Sequence, residues 1–460
     1  MTTVIKGGTI VTPTEEYVGD IRIEDGIIQA IGRTADEEGA QVIDASGRYV
    51  LPGGVDVHTH MDLDVGIARA VDDFYTGTVA AACGGTTTIV DHLAFGPAGC
   101  PLHHQIEEYH RLADGKSVVD YGFHGVVQHI NEDILKEMEE LSAEGITSFK
   151  GYLTYDYRLD DAAIYRLMLK MKELGGMPAF HAENHEVIQY LRAQYVGEGK
   201  TDPIYHAKSR PDDMEAEAVG RLLKIARLAG DAPVYIVHLS TAKGLEEIRH
   251  ARAGGQKNIY VETCPQYLVF NEEELLREDA LKFIFSPPLR KEADEEALWG
   301  GLADGTIQIV GTDHCPFNYG IEKQRGKDDF TACPNGAPGV EERMRILYSE
   351  GVTKQRISLG QFVKVTAENP AKAYGLYPKK GAIMPGADAD LLIWNPEGSL
   401  ILTKKDMRSA VDYTIYEGFE IQGMLEKVLL RGKVIVSDNE FLGQKGQGEF
   451  VKRHASGPID

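Results

Sequence analysis

The sequence predicts an α/β chain, a (β/α)8 TIM barrel with a smaller β-sandwich domain formed by both chain ends. Eight short apolar or β-branched runs, each ending in polar residues, recur through the middle of the chain, and helical stretches follow several of them. Two flanks, residues 1–50 and 380–460, share a different texture of short strands between glycine turns. At 460 residues the chain is also too long for one ordinary core.

In the first flank, strands are expected at residues 3–5, 9–12, 20–24, 27–31 and 42–44, punctuated by Gly7-Gly8, Asp25-Gly26 and Ser46-Gly47. In the second, residues 390–394, 427–430 and 433–436 alternate or run apolar between glycines, and a C-terminal tail follows. The barrel is expected over residues 51–379. Its first four runs end at His58, at Asp91-His92, at His124 and at Lys150. The other four end at His181, His238, Glu262 and Asp313. Amphipathic helices are expected at residues 133–144, 161–174 and 214–228. Strands alternating with helices are parallel βα units, and eight of them close into a barrel whose reactive end lies at the strand C-termini. The polar residues fall at those ends.

Hydrophobic residues at 43% and charged residues at 26% are ordinary for a soluble globular protein. A formal net charge of −23 argues against nucleic acid and against anionic membrane surfaces as partners. No apolar run approaches the ~20 residues needed to span a bilayer. The first residues alternate like a strand and lack the layout of a signal peptide. Cys83, Cys100, Cys264, Cys315 and Cys333 are odd in number and form no C-x-x-C pair. That predicts neither a thiolate zinc site nor a disulfide framework, and a reducing cytoplasm.

His58-Thr-His60 places two imidazoles on one side of a strand, where both can reach one metal ion. Taken singly, His181 and His238 read as core histidines, and Asp313 as a turn cap. Together, four imidazoles and a carboxylate converge on one barrel mouth and predict a metal centre. Their single negative charge is too little to hold two dications together, so an anionic bridge is wanted. Lys150 is the remaining ligand-like strand end. Its ammonium cannot ligate a metal, whereas a neutral amine can capture carbon dioxide as a carbamate. A solvated or ion-paired lysine is the other reading.

The run from Leu51 to His60, with Ser148-Phe-Lys150, Phe180-His-Ala-Glu183, Val237-His-Leu-Ser240 and Gly311-Thr-Asp-His314, resembles the amidohydrolase superfamily. Phe285-Ser-Pro-Pro-Leu-Arg290, Cys333-Pro-Asn-Gly336 and Gly381 through Asp390 resemble its dihydropyrimidinase and D-hydantoinase family. The stretches at residues 56–66 and 121–131 look nearest to the phenylhydantoinase branch. The resemblance implies two divalent ions per chain, zinc in the first place, bridged by Lys150 as N6-carboxylysine. His58, His60 and Asp313 would serve one ion, and His181 and His238 the other. It further implies that Tyr155 donates to the oxyanion, that Ser286 and Asn335 bind the substrate ring through the main chain, and that Asp313 moves the proton. By pattern alone, Tyr155 is an aromatic in a loop and Ser286 a turn residue.

The expected activity is therefore hydrolysis of the ring amide of 5-substituted hydantoins, and of dihydropyrimidines, to N-carbamoyl amino acids. Dihydroorotase-like relatives carry an arginine two residues after the H-x-H pair, where this chain has Asp62. An allantoinase would use the same metals and differ in its substrate loops. Non-catalytic scaffolds of the same fold lack the ligands present here. The partner is a small cyclic amide, and the resemblance implies a homotetramer or dimer.

Overall fold

Residues 2–33 and 39–459 are described by the computed structural model. The chain starts with β1 (Thr2–Val11), β2 (Glu16–Glu24), β3 (Ile27–Gly32), β4 (Gln41–Asp44) and β5 (Tyr49–Pro52). The first two form an antiparallel pair, and β4 and β5 both run parallel to β1, so the sheet branches there. Next come eight strands: β6 (Gly54–Thr59), β7 (Thr86–His92), β8 (Asp120–Val126), β9 (Ser148–Tyr152), β10 (Met177–His181), β11 (Val234–Ile236), β12 (Ile259–Thr263) and β13 (Ile309–Val310). The last four, β14 (Leu391–Ile401), β15 (Glu420–Leu430), β16 (Lys433–Ser437) and β17 (Glu440–Phe441), return to the first sheet. The expected composite of both chain ends is formed by β14 pairing with β5. Residue 50 lies inside β5, so the strand itself crosses the point where the sequence suggested a boundary.

β6 to β13 pair in sequence order and in parallel, as all eight runs predicted. Every residue of these strands is buried, which is why they read as continuous apolar runs rather than as alternating ones. The ring closes just beyond β13, where the Asp313 amide donates to the His58 carbonyl and the His60 amide to the His314 carbonyl, each at 2.9 Å. Buried Arg343 ties the seam by donating to the carbonyls of Val55 at 3.0 Å and Val310 at 2.9 Å.

The surrounding helices follow local sequence rules. The helix Asp161–Leu174 buries Ile164, Leu167, Met168 and Met171, one stripe of its surface. Asp160 caps its first turn by accepting from the Ala163 amide at 2.8 Å. Gly175 ends it in the left-handed conformation at φ 66°.

The chain end closes the barrel base. Tyr121 and Phe450 form a parallel bridge, and Arg453 donates to the Ser148 hydroxyl at 2.7 Å. Both barrel residues lie near the starts of their strands, leaving the opposite end as the open mouth. Among the described residues, no helix is long and apolar enough to cross a membrane.

A buried ion cluster joins the small sheet to this base. The Lys380 ammonium contacts Asp388 at 2.8 Å, Asp390 at 2.7 Å and Asp120 at the start of β8. All four side chains are at most 3% exposed. Burial alone favours the neutral amine, but the three carboxylates hold Lys380 well above its ordinary value. Lys380→Met should therefore lower stability by about 3–5 kcal/mol, because it strands buried carboxylates. Denaturant unfolding checks this, and an unchanged midpoint would show that the cluster carries no such role.

Candidate active site at the barrel mouth

Each residue singled out as a ligand lies at the C-terminal end of the barrel. His58 is in β6 and His60 just past it, Lys150 is in β9, and His181 ends β10. His238 and Asp313 follow β11 and β13 by two and three residues. The four histidines and Lys150 are at most 7% exposed, and the Asp313 side chain 14%.

The donor atoms fall into two groups. His58 Nε2 and His60 Nε2 each lie 3.1 Å from Asp313 Oδ1. His58 Nε2 is buried without a hydrogen-bond partner despite that distance, so the pair has the approach of co-ligands rather than the geometry of a hydrogen bond. In the second group, His181 Nδ1 and His238 Nε2 face each other at 3.0 Å. The charge of Lys150 bears on all four rings. No carboxylate lies within ion-pair distance of its Nζ among the described residues.

The outward nitrogen of three rings is fixed by an acceptor, which sets the tautomer and aims the other lone pair into the mouth. His58 Nδ1 donates to Glu262 at 2.5 Å, and His60 Nδ1 to the His92 carbonyl at 3.2 Å. His181 Nε2 donates to Glu183 at 2.6 Å, and Glu183 is held in turn by Arg210 at 2.7 Å. Fully buried Glu262 also accepts from the Tyr235 hydroxyl at 2.8 Å and the His238 amide at 3.0 Å, so one side chain orients parts of both groups. Sequence reasoning assigned no role to Glu262, Glu183 or Arg210. Glu262 was visible as a carboxylate ending an apolar run, and Glu183 as the polar residue two places after His181.

Burial holds His60, His181 and His238 below the ordinary imidazole range, which leaves them neutral. Burial is the largest influence on His58 too and opposes its charge, but Glu262 and Asp313 together outweigh it and lift that ring to about 9. Asp313 stays well below the usual carboxylate range, because His58 and His60 overcome the effect of burial. Burial pushes Lys150 down to about 8. Three neutral imidazoles, an ionised carboxylate and an easily neutralised lysine suit cation binding.

Tyr155 lies three residues beyond β9, its ring 5.2 Å from that of His181. Buried Ser286 adjoins its phenol. Asn335 is half-buried in the loop whose next residue, Gly336, donates its amide to the Ile284 carbonyl at 3.0 Å. Tyr155, His238 and Asp313 all adopt positive φ, at 70°, 37° and 54°, and non-glycine strain of this kind gathers at functional sites. Asp62 is turned into its own loop, where it accepts from the Phe74 amide at 3.1 Å.

Comparison with known proteins agrees with this arrangement. The amidohydrolase family profile matches residues 49–435. A D-phenylhydantoinase of Escherichia coli is 48% identical over 454 residues, covering 98% of each chain. The crystal structure of dihydropyrimidinase from Brevibacillus agri superposes with a TM-score of 0.98 at 43% identity, over 100% of both chains. D-hydantoinase from a Bacillus species gives 0.96 at 44% identity, over 98% of this chain and 99% of that one. The ring of parallel strands, the ligand-like groups at its mouth and the full-length matches have one reading: the chain belongs to the amidohydrolase family, among its hydantoinases and dihydropyrimidinases.

Proposed function

We propose that the protein is a two-metal cyclic amidohydrolase that opens the ring amide of 5-substituted hydantoins, and of dihydropyrimidines, to give N-carbamoyl amino acids. The convergence of six ligand-like groups on the barrel mouth carries this reading, and the names of the full-length relatives support the substrate class. His58, His60 and Asp313 would hold one ion, and His181 and His238 the other. Imidazole-rich donor sets suit zinc. The chemistry that two such ions supply when bound is acidification of water and polarisation of a carbonyl.

Lys150 would provide the bridge. With its pKa near 8, it holds about two orders of magnitude more free amine at neutral pH than an ordinary lysine. The amine nitrogen attacks the carbon of carbon dioxide, a proton leaves, and an anionic carbamate with two oxygens results. Asp313 takes the proton of the attacking water and delivers it to the departing ring nitrogen. Tyr155 donates its phenol hydrogen to the oxyanion, a contact stronger in the transition state than in the bound ring. Main-chain groups of Ser286 and Asn335 hold the ring. We place the enzyme in the cytoplasm as a homotetramer; five free cysteines suit a reducing compartment.

A panel of phenylhydantoin, hydantoin, dihydrouracil, allantoin and dihydroorotate tests the reading. Ring opening of a hydantoin is expected, and failure on every hydantoin and dihydropyrimidine would overturn it. Purified active protein should carry about two divalent ions per chain, and Lys150→Ala should lose most activity together with metal. Full activity and metal in Lys150→Arg would rule out the carbamate, since a guanidinium cannot form one. Tyr155→Phe should lower turnover on the order of 10²–10³-fold with metal content intact. A loss under about threefold would return Tyr155 to a packing role, because phenylalanine preserves its packing but not its hydrogen bond.

A further inference from the structure

Residues 284–287 form the wall of the mouth that contains Ser286, and three of their four carbonyls are taken by buried side chains. The Ile284 carbonyl accepts from Lys323 Nζ at 2.7 Å, Phe285 from His206 Nε2 at 2.8 Å, and Pro287 from the Tyr267 hydroxyl at 2.7 Å. A carbonyl can only accept, so His206 carries its hydrogen on Nε2. Among the described residues, the Ser286 carbonyl has no hydrogen-bond partner, nor has the main chain of Asn335. The Ser286 carbonyl and the half-buried Asn335 main chain are thus edges of this wall that no other protein group occupies among the described residues.

Lys323 spans both stretches. Its Nζ also donates to the Pro334 carbonyl at 2.9 Å, immediately before Asn335. The side chain is 0% exposed, and no carboxylate lies within ion-pair distance among the described residues. A cation buried on carbonyls alone is a poor choice for stability, because desolvating the charge is not repaid by an opposite one. Fixing the spacing of two loops explains it better. Gly336 joins the two stretches by donating its amide to the Ile284 carbonyl at 3.0 Å, and at φ 146° it lies against the loop after β13, where a Cβ would meet the Cys315 carbonyl at 2.2 Å.

We propose that Lys323 and His206 are positioning residues for the substrate ring. They occupy the carbonyls around Ser286, leave its own carbonyl free, and set the distance between the Ser286 and Asn335 main chains. A cyclic amide or ureide offers ring N–H and C=O groups close together, which two main-chain edges at fixed spacing can pair. This inference rests on the ring-opening reading above.

Steady-state kinetics on metal-loaded variants tests it. Lys323→Met should raise KM for a hydantoin about tenfold, the scale of one or two lost ring contacts, with kcat within about threefold. Metal content should not change. His206→Leu should shift KM the same way. His206→Gln, which can still donate to the Phe285 carbonyl, should restore KM to near the wild-type value. A purely structural role would instead lower the melting temperature and the active fraction while leaving KM unmoved. If Lys323→Met does not fold, the two His206 variants decide. Unchanged KM in the folded variants, or glutamine behaving as leucine does, would overturn the proposal. Wild-type protein that opens no cyclic amide would overturn the ring-opening reading, and this inference with it.

Discussion

Glu262 sets the geometry on which the barrel mouth depends. A carboxylate with no solvent contact survives only if its oxygens are satisfied, and this one is gripped by the His58 ring, the Tyr235 hydroxyl and the His238 amide. Each grip also constrains its partner. The His58 ring must carry its hydrogen on Nδ1, which turns Nε2 toward Asp313. The chain leaving β11 is held where His238 meets His181. Under the proposed mechanism, the two halves of the metal centre are therefore placed by a residue that belongs to neither.

The rest of the fold separates this mouth from a closed base. Consecutive parallel strands put all their C-terminal ends on one side, so residues far apart in sequence meet there without special loops. The seam is tied by Arg343, and the base is covered by the tail and anchored by Lys380 and its three carboxylates. Rigid support of this kind keeps ligand-like groups at fixed distances, and those distances let neutral imidazoles face one another at the mouth.

Much of this was legible in the sequence, because the information is local. Burial on both faces writes a barrel strand as an apolar run, and the polar residue ending the run marks its C-terminus. All eight strands, and the placement of His58, His60, Lys150, His181, His238 and Asp313, could be read that way. What was not legible depends on contacts between distant positions. The His58–Glu262 bond spans 204 residues, and neither local pattern announces the other. The boundary expected at residue 50 falls inside Tyr49–Pro52, a strand that pairs with β14, more than 300 residues away. The tail carries no periodic signal at all, and only its bridge at Phe450 and the Arg453 hydrogen bond show that it covers the base. Lys323 was invisible for the same reason, since a buried lysine and a surface lysine have the same letter.

The central claim is that the barrel mouth holds two ions bridged by a modified Lys150. A crystal structure of active protein, with anomalous data collected at the zinc edge, tests it most directly. The account predicts two anomalous peaks, one among His58, His60 and Asp313 and one beside His181 and His238, with carboxylate density extending from Lys150 Nζ between them. Active crystals showing at most one peak, with an unmodified Lys150 amine, would contradict it.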